Sequence, residues 1–155
     1  MDSIGPKARQ RNSALEPLAF LVGEWRTTGT HPDLPGKDLK GRTGFAWHEG
    51  GAYLIMRQQV DETGFPDGIA IIGSDDNGTF SMVYFDERGV SRIMKVVVGE
   101  QRVTWTHDDR KFAQCLEIAA KGNDELISHG RMSKDNGPWT DDLSQRFERI
   151  PGTSQ

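Results

Sequence analysis

The side chains able to hold a metal, move a proton or attack a bond are few and scattered. Four histidines, His31, His48, His107 and His129, fall on separate segments, and no two have the i, i+2 or i, i+4 spacing that preassembles a metal site. Three acidic doublets, Asp75-Asp76, Asp108-Asp109 and Asp141-Asp142, invite comparison with acid–base pairs or calcium ligands. Adjacent carboxylates on a strand face opposite ways, however, and at strand ends aspartate serves local hydrogen bonding. Cys115 is the only cysteine, so an intrachain disulfide, a thiolate zinc centre and a paired redox motif are all excluded. Gly50-Gly51 and the other glycine turns lack the strand-to-helix setting of a phosphate cradle. His107 differs from the other histidines because it continues the face of Val103 and Trp105. It is expected to look into an interior, where a neutral imidazole can hydrogen-bond a ligand or act as a base.

Such an interior follows from the punctuation of the chain. Strand-like segments at 24–30, 40–49, 52–61, 68–74, 79–85, 90–98, 101–107, 111–119, 125–133 and 139–149 are separated by short runs of Gly, Asp, Asn and Pro. Connections such as Asp76-Asn77-Gly78 and Glu87-Arg88-Gly89 tolerate positive φ, so consecutive strands are expected to pair as neighbours. The pattern predicts an all-β fold, an antiparallel up-and-down meander barrel of about ten strands. The connection 31–38 holds Pro32, Pro35 and Gly36 and is expected to cross a barrel mouth. Ahead of the strands, Ser13 with Glu16 fits a capping box and Pro17 fits a first helical position. Either predicts a short helix that ends at Gly23 and closes one end of the barrel.

Alternation assigns the faces. Leu143, Gln145, Phe147 and Arg149 are expected inside, with Asp142, Ser144, Arg146 and Glu148 outside. Segments 69–72 and 80–85 are apolar on both faces, which implies that one outer face is also covered, by the helix or by a second subunit in a homodimer.

The chain of 155 residues is long enough for one core, placed at 13–150, with a frayed tail over 1–12 and a short one over 151–155. With its 18 glycines counted, the apolar content is ordinary for a globular protein. A net charge of −4 with dispersed basic residues gives no general attraction for nucleic acid or anionic lipid. The lone cysteine and the absence of a signal-like or membrane-length apolar run lead to the expectation of a cytoplasmic protein.

Two sets of residues resemble known families. Leu18-Ala19-Phe20-Leu21-Val22-Gly23-Glu24-Trp25 is similar to the helix-then-Gly-x-Trp opening of lipocalins and nitrobindin-like proteins of the calycin group. The ordered series Trp47 to Gly51, Ile72 to Asp75, Tyr84 to Arg92 and Arg146 to Arg149 resembles a bacterial family of lipocalin-like barrels of unassigned function. The resemblance implies a floor tryptophan, Trp25, with Arg149 of the last strand stacked on it in a structural role. Nitrobindin-like proteins bind haem through a histidine late in the chain. The last strand here has none, which leaves His129 or His107 as substitute ligands for a haem cofactor.

The expected lining is therefore the main functional candidate. Trp47, Tyr84, Trp105 and Phe147 offer flat apolar area, and Arg92, His107, Gln114 and Gln145 offer polar handles, with no catalytic residue or metal ligand assigned. The leading expectation is non-catalytic binding of a small hydrophobic or amphipathic molecule. The alternatives are an enzyme using His107 as base with Tyr84 and Arg92 steadying negative charge, haem binding, and a protein-interaction module built on the outer strands.

Overall fold

The structure is a computed structural model that describes residues 11–153. Ten antiparallel strands follow one another: β1 (Gly23–Thr30), β2 (Leu39–His48), β3 (Tyr53–Val60), β4 (Gly68–Ser74), β5 (Phe80–Asp86), β6 (Ser91–Gly99), β7 (Arg102–His107), β8 (Phe112–Ala120), β9 (Glu125–Lys134) and β10 (Thr140–Arg149). Each pairs with its sequence neighbour, and β1 pairs with β10 from Trp25 opposite Arg149 to Thr30 opposite Ser144, which closes the barrel. The expected meander is the observed one. Its tight turns are held as their residues require. The Asp75 carboxylate accepts from the backbone N–H of Asn77 and Thr79, both at 2.9 Å, while Gly78 takes a φ of +76°. No helix is long and apolar enough to cross a membrane among the described residues.

A 3₁₀ helix, Ser13–Leu21, fills one end of the barrel with Leu15, Leu18 and Leu21, none of which has exposed surface. Its cap is Asn12 rather than Ser13: the Asn12 side-chain oxygen Oδ1 accepts from Ala14 N at 3.1 Å. The 3₁₀ pitch accommodates Pro17, which has no N–H to give to a ladder. Residues 1–10 and 154–155, most of the two expected tails, lie outside the described residues. Arg11 stacks on Trp47 at 4.6 Å, and Asn12 also bonds Gly51 and Ser74, so both are tied to the closed end.

Below the helix lies a dry core in which Trp25, Phe45, Leu54, Ile72, Val103, Ile118, Leu126 and Phe147 are at most 2% exposed. Trp25 Nε1 donates to Leu21 O at 2.8 Å, and the Arg149 guanidinium lies 4.2 Å over the Trp25 ring while donating to Val22 O at 2.7 Å. Gly23 makes this possible. Its φ is +135°, and a Cβ there would collide with the Arg149 guanidinium nitrogen.

The helix does not cover the outer sheet face, contrary to one of the two expected coverings. Ile55, Ile71, Val83 and Ile93 follow one another across β3 to β6 by register, with Ile71 40% and Ile93 75% exposed. The short helix is spent on the barrel end, where its leucines find a closed apolar ring.

Candidate functional site

At the opposite end, ten strands enclose more space than their side chains fill. A cavity of about 480 Å³ lies there, under two loops, 31–38 and 61–67, that the Lys37–Glu62 ion pair joins at 2.8 Å. Inward alternation on successive strands supplies its apolar wall: Met56, Met82, Met94, Trp105 and Leu116. Met82 stands opposite Met94, and Trp105 opposite Leu116. Unbranched methionines leave a wall that can adjust to what it touches.

The polar side of the cavity is built by an irregularity that alternation does not foresee. Between Asp141, opposite Arg131, and Ser144, opposite His129, the β10 register slips, so that Asp142 and Leu143 both face the single residue Gly130. A Cβ on Gly130 would collide with the Leu143 carbonyl oxygen, so the bulge needs glycine there. The slip turns Asp142 into the cavity, where the sequence pattern places it outside. Gln145 and Phe147, beyond the bulge, point inward as expected and are buried, whereas Arg146 and Glu148 are exposed.

Asp142 organises a chain of contacts. His31, whose side chain is 9% exposed, accepts from Asp33 N at Nδ1 (3.1 Å), so its Nε2 carries the proton and donates to Asp142 Oδ1, also at 3.1 Å. The other carboxylate oxygen accepts from Gln114 Nε2 at 2.8 Å, which turns Gln114 Oε1 toward Arg92, 3.5 Å away. The Arg92 guanidinium rests 4.8 Å above the Phe112 ring and enters no ion pair among the described residues. Phe65 meets the His31 ring edge-on at 5.5 Å and fastens the second loop.

A second cluster sits at the end of β5 and in its turn toward β6. Tyr84 donates its hydroxyl to Asp86 Oδ2 at 2.9 Å, and Arg88 pairs with the same carboxylate at 2.7 Å. The Arg88 hydrogen bond is the main cause that lowers the Asp86 carboxyl to about 2, against the cost of its burial. Burial and the Asp86 bond push the Tyr84 phenol far above the usual tyrosine range, so it stays protonated. Gly68 admits the ring, since a Cβ there would stand 2.8 Å from it.

Of the residues singled out from the sequence, Tyr84, Arg92, Trp105, Gln114 and Gln145 line this cavity together. Trp47 and Phe147 belong to the packed closed end. His107 sits at a strand end with Nδ1 3.4 Å from Ile93 O, off the cavity wall, so the trio His107, Tyr84 and Arg92 does not converge on one space. His129 is on the outer face and bonds Asp141 Oδ1 at 3.1 Å, so it cannot ligate a haem held inside. His31 does line the cavity, with both its ring nitrogens in hydrogen bonds, to Asp142 and to Asp33 N. The residues missed by sequence reasoning are His31, Phe65, Phe112, Asp142 and the three methionines; Phe112 and the methionines carried a signal, sitting at inward steps of their strands.

Gln145 is 7% exposed, and its Nε2 has no hydrogen-bond partner. A buried amide left so is costly unless something enters to meet it. An outer hollow of about 450 Å³ between β1 and β5 lacks this property: Arg42 and Glu24 already pair at 3.3 Å and both reach solvent.

Neither a protein-family model nor a curated protein sequence matches the chain. Solved structures do. Rv2717c from M. tuberculosis is 18% identical and superposes with a TM-score of 0.66, covering 91% of this chain and 99% of its own. A protein with unknown function from the DUF3598 family of Nostoc punctiforme is 13% identical, with a TM-score of 0.62 over 86% of this chain and 48% of its own. The chain thus spans about half the length of the Nostoc protein. At these identities the likeness is one of fold.

Proposed function

We propose that the protein binds a small amphipathic molecule in the cavity at the barrel mouth and performs no chemistry on it. The observation that carries this reading is the cavity itself: about 480 Å³ between a wall of Met56, Met82, Met94, Trp105 and Leu116 and an arc of hydrogen-bonding groups from His31 to Arg92. That size and that mixture of a large apolar wall with few polar groups are usual for small-molecule sites. The absence of a converging His107, Tyr84 and Arg92 trio, and the engagement of the Tyr84 hydroxyl by Asp86, support binding over catalysis among the described residues. The similarity of the Leu18 to Trp25 segment to the lipocalin opening supports the same reading.

A thermal-shift screen against fatty acids, flavonoids and tetrapyrroles tests it. At least one class is expected to raise the melting temperature in a dose-dependent way, as ligand linkage to the native state requires. A melting temperature unmoved by every class would overturn the proposal.

A further inference from the structure

The geometry points to a specific class of ligand for this site, resting on the binding reading above: a monocarboxylate whose carboxylate sits on Arg92 and whose apolar body carries a second oxygen that reaches Gln145. Two groups, a cation without a carboxylate and an amide nitrogen without a partner, carry the assignment. Arg92 is a partly buried guanidinium without a carboxylate partner among the described residues. The two nearby carboxylates are committed elsewhere, Asp142 to His31 and Gln114, and Asp86 to Arg88 and Tyr84. A partly buried cation in this state leaves room for an anion from outside to pair with it. The Phe112 ring covers one face of the guanidinium, which fixes its plane and leaves its edge for the two parallel hydrogen bonds that a carboxylate accepts.

The charge of the ligand follows from what surrounds Arg92. A dianionic phosphate needs a second free cation, and the other guanidinium of the cavity, Arg88, is held by Asp86 at 2.7 Å. One cation selects one negative charge. The second group is Gln145, on the inward face of β10, whose buried amide nitrogen has no partner. The nitrogen is closed off where it stands, so a turn of the Gln145 amide brings it to the cavity, where a hydroxyl or carbonyl oxygen on the ligand body meets it. The wall of Met56, Met82, Met94, Trp105 and Leu116 then holds the chain or ring that joins the two polar ends.

Displacement of a neutral fluorescent reporter, N-phenyl-1-naphthylamine, separates this inference from the reading it rests on. Decanoate is expected to displace the reporter at a concentration about tenfold or more below that of decanol, the worth of a charge-assisted pair. Decyl phosphate is expected to gain nothing over decanoate, and 10-hydroxydecanoate to bind more tightly than either. Arg92→Met should erase the preference for acid over alcohol, Arg92→Lys should keep part of it, and Gln145→Leu should remove the gain from the added hydroxyl. A reporter that binds but is displaced equally by acid and alcohol, or an acid preference that survives Arg92→Met, would overturn the carboxylate assignment alone. A hydroxyl gain that persists in Gln145→Leu would overturn the second contact, and a reporter that never binds would overturn the assignment together with the binding reading.

Discussion

At the closed end, Leu15, Leu18, Leu21 and Trp25 have no exposed surface, and the Trp25 indole and Arg149 guanidinium both spend their hydrogens on the backbone. At the mouth, the same ten strands surround a cavity of about 480 Å³, with Arg92 lacking a carboxylate and Gln145 Nε2 lacking any partner. One sheet thus ends in two ways. Where a helix is available to plug the barrel, apolar side chains fill the interior; where only loops 31–38 and 61–67 cross it, open space remains between the inward side chains. The lesson is that filled volume, more than strand pattern or unpaired polar atoms, separates the two ends, since the Trp47 indole nitrogen at the closed end also lacks a partner.

Mutations at matched positions sharpen the contrast. The largest effect is expected from Trp25→Ala, which removes the centre of the plug and strips Arg149 of its ring. It should destabilise by about 3–5 kcal/mol in urea unfolding, and a loss below about 1 kcal/mol would show that the closed end is not tightly packed. Next come two tryptophan insertions on the same face of β8. Ile118, 1% exposed, sits in the dry core, so Ile118→Trp should cost about 1–3 kcal/mol or more by overpacking. Leu116, one inward step along, borders the cavity, so Leu116→Trp should cost less than about 1 kcal/mol because the new ring enters free space. Equal costs at the two positions would break the comparison.

The smallest expected effect concerns acid. Asp86 has its carboxyl lowered to about 2 in the folded state from an ordinary 3.8, chiefly by Arg88. A depressed carboxyl contributes stability that is fully present above its unfolded value and is lost as pH falls from there through about 2. Asp86→Asn should therefore flatten the acid limb of the stability profile relative to wild type, read by urea unfolding at stepped pH. An unchanged acid limb would show that Arg88 and Tyr84 do not hold this carboxylate as described.

The barrel was legible in the chain because turn residues such as Asp75 to Gly78 recur at strand spacing and state their geometry locally. The inward side of β7, β8 and most of β10 followed from alternation, which placed Trp105, Gln114 and Gln145 at the cavity. Alternation failed at Asp142, because a bulge changes parity over two residues and its only trace is Gly130, one strand away. His31 and Phe65 were illegible for a different reason. They come from loops, where no period assigns a face, and what fixes them is contact with Asp142 and with each other across distant parts of the chain. Trp47 and Phe147 lie in the packed closed end because strand parity places a side chain inside without saying at which end of the barrel it lies.

The most direct test of the central claim is titration of N-phenyl-1-naphthylamine into the wild-type protein and into Leu116→Trp. The account predicts a saturable rise in fluorescence with one site per chain in the wild type, abolished in a Leu116→Trp variant that remains folded with near-native stability. Binding that is absent from the wild type, or that persists unchanged once the tryptophan fills the cavity, would contradict it.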